Sequence, residues 1–264
     1  MVFGGGGQVG CHLIEMASAT GHDLVGLTHE EADICDAGAV GDAIAGHSPT
    51  CIVNAAAYTA VDKAESDAMR AFAVNRDGAS VVAEAAAKAK IPVIHLSTDY
   101  VFDGSADVPY QEDDRVNPQG SYATSKEAGE RAVRSANDRH LILRTAWVYS
   151  PFGKNFVKTM LRLAADRDEI SVVADQWGNP TSALDIADAI LHAAATLHRD
   201  KDFAAFGIYH LAGTGEANWS GFARHILDTS RVSGGPSARV RDITTTDYPT
   251  KARQIGRASC RERV

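Results

Sequence analysis

Tyr122 and Lys126 stand four residues apart in the segment Tyr122-Ala-Thr-Ser-Lys126. On a helix this spacing puts a phenol and an ammonium on one face, about one turn apart. A phenol ionises near ~10 when unperturbed, and a neighbouring cation favours the phenolate, so the pair can exchange a proton near neutral pH and act as a general acid. The same spacing also describes a packed ring beside a solvated charge. Ser97-Thr98-Asp99 favours the chemical reading, because it follows the apolar run 93–96 and so lies at the carboxyl end of a candidate strand. Open parallel sheets bind ligands at that edge. A hydroxyl there can hold a carbonyl oxygen beside the phenol, which completes a set of Thr98, Tyr122 and Lys126.

A second group is the glycine run Gly4-Gly5-Gly6-Gly7-Gln8-Val9-Gly10. A dinucleotide pyrophosphate approaches a backbone closely only where side chains are absent, and free N–H groups at the positive end of the following helix hold it. The run fits both Gly5-x-Gly7-x-x-Gly10 and Gly4-x-x-Gly7-x-x-Gly10, so the spacing in use stays open. It follows Val2-Phe3 and precedes a helix-like stretch at 11–19, which is the context such a turn requires. The next candidate strand, 24–27, ends in Thr28-His29, with neither the acid that favours NAD nor the arginine that favours NADP. Cofactor preference is therefore open.

These groups need a scaffold to hold them. The chain has 264 residues, 45% of them hydrophobic, enough for one or two domains with a full core. No apolar run approaches the ~20 residues of a membrane-spanning helix. With 26 Lys+Arg against 34 Asp+Glu, a net charge of -8 disfavours nucleic acid and anionic membrane surfaces as partners. The four cysteines are scattered without Cys-x-x-Cys or zinc spacing, and no signal peptide precedes the glycine run. A reduced, cytoplasmic protein without a metal site is expected. Strands are predicted at 24–27, 51–54, 93–97, 141–145, 170–173 and 208–211. Between them fall helical periods: Val40 and Ile44; the alanine-rich 80–90; Phe156, Met160 and Leu163; Leu184, Ala187 and Leu191. Strands alternating with helices predict an α/β fold, a Rossmann-like doubly wound parallel sheet with a smaller C-terminal substrate-binding part. The expected division is a dinucleotide-binding core at 1–147 and a mainly substrate-binding part at 148–254, interleaved with it.

The ends stand apart from this pattern. Met1-Val2-Phe3 is short for a complete buried strand, and 255–264 carries three arginines and one glutamate with no apolar period. The expectation is a first strand that has lost residues and a non-native tail of translated adapter sequence.

From Phe3 to Arg253 the chain resembles the extended short-chain dehydrogenase/reductases and, within them, the dTDP-4-dehydrorhamnose reductase family. The resemblance rests on Phe3-Gly4-x-x-Gly7-Gln8-Val9-Gly10, the stretch from Val53-Asn54-Ala55-Ala56 to Glu65, Ser97-Thr98-Asp99-Tyr100-Val101-Phe102-Asp103-Gly104 and Tyr122-x-x-x-Lys126. It continues through Arg144-Thr145-x-Trp147-Val148-Tyr149, Asn155-Phe156-Val157-Lys158-Thr159-Met160 and Asp175-Gln176-x-Gly178-x-Pro180-Thr181. It implies reduction of the C4 ketone of a dTDP-linked 4-keto-6-deoxyhexose by NADPH or NADH, the last step of dTDP-L-rhamnose synthesis for cell-surface polysaccharide. By position, Gly4, Gly7, Gln8, Val9 and Gly10 would meet the cofactor phosphates and Asp33 and Ile34 the adenine. Ala57, Tyr58 and Thr59 would line the cofactor's middle. Tyr122 would protonate the C4 oxygen, Lys126 would bind the nicotinamide ribose, and Thr98 would hold the same oxygen as Tyr122. Asp99 and Trp147 would contact the sugar nucleotide. A homodimer is among the assemblies it allows.

Blander readings stand beside these. Asp33 can cap the following helix, Trp147 can be packing, and Asp175 and Gln176 can form a plain turn before Pro180 or a substrate-side loop. His95 faces the sheet interior by alternation and reads as core. A dehydratase or epimerase is disfavoured, because elimination needs an acid and a base side by side and Tyr100 stands where the second carboxylate would be. A non-catalytic regulatory subunit, like the methionine adenosyltransferase beta subunit, is the other alternative.

Overall fold

Strands apolar on both faces must be covered on both faces, so the apolar runs of the first half require helices above and below one sheet. The computed structural model has this form and describes residues 1–106 and 108–252; the expected tail at 255–264 lies outside the described residues. In chain order come β1 (Val2–Phe3), α1 (Gln8–Thr20), β2 (Gly26–Leu27), α2 (Ala37–His47), β3 (Ile52–Asn54), α3 (Val61–Ala64), α4 (Ala68–Phe72), α5 (Ala79–Lys88), β4 (Val93–Thr98), α6 (Gly120–Ala136) and β5 (His140–Thr145). There follow β6 (Val148–Tyr149), α7 (Phe156–Asp166), β7 (Glu169–Val173), β8 (Trp177–Gly178), β9 (Thr181–Ser182), α8 (Ala183–Arg199), β10 (Gly207–His210), β11 (Ala217–Asn218), α9 (Trp219–Val232) and β12 (Arg239–Ile243).

Six strands form the central sheet in the order β10-β5-β4-β3-β1-β2, every pair parallel. The chain runs outward from β1 to β2 and then crosses to β3, so the order reverses between β1 and β3. A crevice opens at such a switch point, beyond the carboxyl ends of the strands. Alternation along β4 distributes the core. Ile94 packs with Val9, Leu13, Ile186 and Ile190 of α1 and α8, while Val93 packs with Val40, Val82 and Val133 of α2, α5 and α6. Side-chain caps start several helices: Asp36 accepts from the Gly38 and Ala39 N–H groups at α2, and Asn155 from Lys158 at α7.

The predicted strand at 170–173 exists as β7 but is not in the main sheet. It pairs in parallel with β12 in a separate two-stranded sheet, over a core of Met160, Ile170, Val172, Phe222 and Ile226 contributed by α7, β7 and α9. Its apolar pattern announces a strand but not the partner. Helix α9 and strand β12 were not predicted. Among the described residues, no helix is long and apolar enough to cross a membrane.

Candidate active site

The glycine run brings α1 against the end of β1. Gly4 has φ +84°, and a Cβ there would lie 2.6 Å from the Ala56 nitrogen; one at Gly10 would overlap the Gly4 oxygen. At Gly6 a Cβ would meet only the Thr28 side chain at 3.6 Å, so that position is the tolerant one. Helix α1 has no side-chain cap and no acidic residue in its first turn, which leaves its positive end open to an anion. The Gln8 amide oxygen accepts from Asn155 Nδ2 at 2.9 Å and Val9 is core, so both residues offer an anion their backbone N–H groups rather than their side chains.

Beyond β2, Asp33 does not cap α2; that is done by Asp36. The Asp33 carboxylate accepts from the Cys35 N–H at 2.9 Å. Ile34 is buried, and its side chain lies where a Cβ on Gly78 would meet it at 2.8 Å, so it is a core residue. Ala57, Tyr58 and Thr59 follow β3 at the crevice. Tyr58 turns its phenol to Asp67 (3.2 Å), while its backbone is clamped by Asn75, which accepts from the Tyr58 N–H at 2.8 Å and donates to the Tyr58 oxygen at 3.1 Å. Asn75 also donates to the Ser125 hydroxyl at 2.9 Å and so ties this loop to α6. It sits in a π-helical turn, Ala73–Gly78, between α4 and α5. Sequence reasoning missed it; the available signal was a lone amide inside an alanine-rich helical stretch.

Thr98, Tyr122 and Lys126 come together as expected in space. Thr98 ends β4, buried, with its hydroxyl donating to Asp99 Oδ1 at 3.0 Å and hydrogen-bonded to the Tyr122 phenol. The Tyr122 ring stands edge-on to Tyr100, with centroids 5.6 Å apart. One turn along α6, Lys126 is buried and donates from Nζ to the Leu96 oxygen at 2.7 Å. The electrostatics differ from the sequence expectation of an ammonium that drives the phenol toward phenolate. Burial pushes the phenol up to about 12, with Thr98 opposing and Asp99 reinforcing the rise. Burial brings Lys126 down to about 8 against the attraction of Glu130. Both groups have lost water, and the ammonium is engaged by a carbonyl rather than by the phenol. At neutral pH the pair is therefore a protonated phenol and a predominantly charged ammonium.

Asp99, almost completely buried, is raised to about 7 by burial, and its Oδ2 has no hydrogen-bond partner. Thr145 Oγ1 and Asn54 Nδ2 are likewise buried and unpartnered. Asn54 ends β3, Asp99 follows β4 and Thr145 ends β5, where it is the register partner of Thr98. Three adjacent strand ends thus present unsatisfied polar atoms at the carboxyl edge. His95 is fully buried with both ring nitrogens unpartnered, and burial keeps it neutral.

A buried ion pair lies beneath the site. Arg144 on β5 donates to Glu130 on α6 through Nε (2.9 Å) and Nη2 (2.8 Å), and the Ser97 hydroxyl of β4 donates to the same carboxylate. The bidentate pair pins the helix carrying Tyr122 and Lys126 to the two strands beside it. Trp147, two residues past β5, is half-buried at φ +45° and stacks on Trp219. Asp175 and Gln176 lie in the loop after β7, bonded to Thr245: Asp175 accepts from its N–H and hydroxyl, and Gln176 Nε2 donates to its oxygen at 3.0 Å.

The family described as RmlD substrate binding domain matches residues 1–261. The dTDP-4-dehydrorhamnose reductase of Sinorhizobium fredii is 50% identical over 88% of this chain and 78% of its own length. That of Escherichia coli K12 is 40% identical over 96% of this chain and 86% of its own length. Among solved structures, the Bacillus anthracis dTDP-4-dehydrorhamnose reductase in complex with NADP superposes with a TM-score of 0.92 at 32% identity, over 99% of this chain and 89% of that one. The Clostridium acetobutylicum reductase superposes at 0.90, with 34% identity over 98% and 89% of the two chains.

Proposed function

The chain belongs to the dTDP-4-dehydrorhamnose reductase family, and from that premise we propose that it reduces the C4 ketone of dTDP-4-dehydro-6-deoxy-L-mannose to dTDP-L-rhamnose with NADPH or NADH. The observation that carries this reading is the Tyr122 phenol, held by Thr98 at the carboxyl edge of the sheet, one helical turn from a buried ammonium.

The residues at the crevice fit a nicotinamide dinucleotide. Gly4 and Gly10 let the turn and the start of α1 pack backbone to backbone against the ends of β1 and β3, α1 is uncapped above that turn, and the strand ends carry unpartnered polar atoms. Gly4, Gly7 and Gly10 with the N–H groups of Gln8 and Val9 would hold the phosphates. Asp33 and the backbone at Ile34 would bound the adenine side, and Ala57, Tyr58 and Thr59 would line the middle. Lys126 would hold the nicotinamide ribose. When bound, the reduced cofactor supplies the hydride.

Thr98 and Tyr122 orient the ketone oxygen, and Tyr122 gives it the proton. A phenol held near 12 is fully protonated at neutral pH, the form this direction of reaction needs. The charged Lys126 stabilises the oxyanion left on Tyr122. Asp99, able to carry a proton near neutral pH, and Trp147 would contact the sugar nucleotide. In this reading residues 1–147 serve the cofactor and 148–254 mainly the substrate, and the protein works in the cytoplasm, with a homodimer as its candidate assembly.

The test is purified protein with dTDP-4-dehydro-6-deoxy-L-mannose, following nicotinamide absorbance and identifying the product. Stoichiometric formation of dTDP-L-rhamnose is expected. A folded protein that binds NADPH but leaves the ketone untouched would overturn the reading and return the regulatory-subunit alternative.

A further inference from the structure

Trp147 occupies a conformation that its residue type does not favour. Its φ of +45° lies in the left-handed region, where a bulky residue is an outlier that the surroundings must enforce. The surroundings do so from three sides. The Trp147 indole lies on the indole of Trp219, with centroids 3.4 Å apart and planes 7° from parallel. Gly178 stands against the same ring: a Cβ there would come within 2.6 Å of Cε2 and Nε1. The Trp147 carbonyl accepts from the Thr181 N–H at 3.2 Å.

Trp219 is itself fixed. Its Nε1–H donates to Gln176 Oε1 at 3.1 Å, and Gln176 in turn donates to Thr245. Phe156 supports the ring at 4.5 Å. Helix α9 does not need this indole at its first position, since Asn218 already caps it by accepting from the Gly221 N–H at 2.7 Å. The backbone of Trp147 lies two residues past Thr145, the register partner of Thr98, and so follows the same carboxyl edge of the sheet on which Thr98 stands.

We propose that Trp219 is a positioning residue, which with Gly178 and Gln176 sets the orientation in which Trp147 meets the nucleotide-sugar. The proposal rests on the reading that Trp147 contacts that ligand. It gives the Asp175-Gln176-x-Gly178 segment a role: Asp175 anchors Thr245, Gln176 holds Trp219, and Gly178 leaves room for Trp147.

The experiment measures calorimetric affinity for dTDP and KM for the dTDP-linked ketone in the full chain, with NADPH affinity as control. Trp147→Ala, Trp219→Leu, the double variant and Gly178→Ala are compared. Each single variant is expected to weaken dTDP binding about five- to tenfold, from the loss of one stacked pair, with NADPH affinity unchanged. The double variant is expected to be no weaker than Trp147→Ala, and Trp219→Phe, which keeps a ring in place, to restore most of the affinity. If Trp147→Ala leaves dTDP affinity intact, Trp147 is not a ligand contact and that reading falls. If Trp147→Ala weakens binding but Trp219→Leu does not, or if the two losses add, Trp219 does not act through Trp147. Should Trp219→Leu fail to fold, Gly178→Ala decides: wild-type dTDP affinity in that variant overturns the proposal.

Discussion

The substitution Asp99→Asn isolates the cost of a buried carboxylate at the site. Asp99 is 1% exposed, its Oδ1 accepts from Thr98, and its Oδ2 has no partner. Burial raises it from 3.8 to about 7, against the lowering effects of the Thr98 hydroxyl and of the Asp99 and Tyr100 N–H groups. A group raised in the folded state binds its proton more tightly there than in the unfolded chain. Its contribution to stability is complete below the unfolded value and is lost as pH rises through the folded one. Ionisation of Asp99 therefore takes nothing from stability near pH 3, where the group is protonated in both states, and removes about 4 kcal/mol from the ligand-free fold once pH exceeds about 7. The asparagine side chain keeps the acceptor oxygen toward Thr98 and cannot ionise; its unpaired amide carries a desolvation cost of ~1–3 kcal/mol that does not vary with pH. Urea unfolding of both proteins across this window should show the variant gaining on the wild type by a few kcal/mol as pH rises. Other shifted groups, such as Lys126 and Cys51, are common to both proteins and drop out of the difference. Parallel stability curves for the two proteins would show that Asp99 ionises in its ordinary range and would refute the reasoning.

Tyr122→Phe should lower turnover ~10²–10⁴-fold while leaving NADPH affinity unchanged by calorimetry; a wild-type rate would remove Tyr122 as the proton donor. Burial lowers Lys126 to about 8, so its charge is present below that pH and lost above it. Turnover should then fall on the alkaline side near pH 8, and Lys126→Ala should lose both turnover and cofactor affinity; an alkaline limb that persists unchanged in that variant would assign it to another group. Gly129 lies on α6 where a Cβ would overlap the Asn75 backbone oxygen. Gly129→Ala should cost ~1–3 kcal/mol in urea unfolding by prising α6 from the π-helical turn, and a neutral result would mean that this contact yields freely.

Properties that depend on near neighbours in the chain were legible before the fold was known. Apolar runs broken by helical periods marked β3, β4, β5 and β10, and the glycine run announced a close approach. A four-residue step was enough to set Tyr122 and Lys126 on one face of α6, because helical periodicity is local. What lay beyond reach depended on partners distant in sequence. The pattern at 170–173 is that of any buried strand, and only packing assigned β7 to β12 rather than to the main sheet. Asn75 gained its meaning from Tyr58 and Ser125, and Trp219 from Trp147, 72 positions earlier in the chain. Proton affinities belong to the same class. The spacing of Tyr122 and Lys126 says that a phenol and an ammonium are close, but the loss of water around them and the Leu96 carbonyl decided that one sits near 12 and the other near 8. Desolvation is a sum over everything packed around a group, and only the assembled tertiary structure performs that sum.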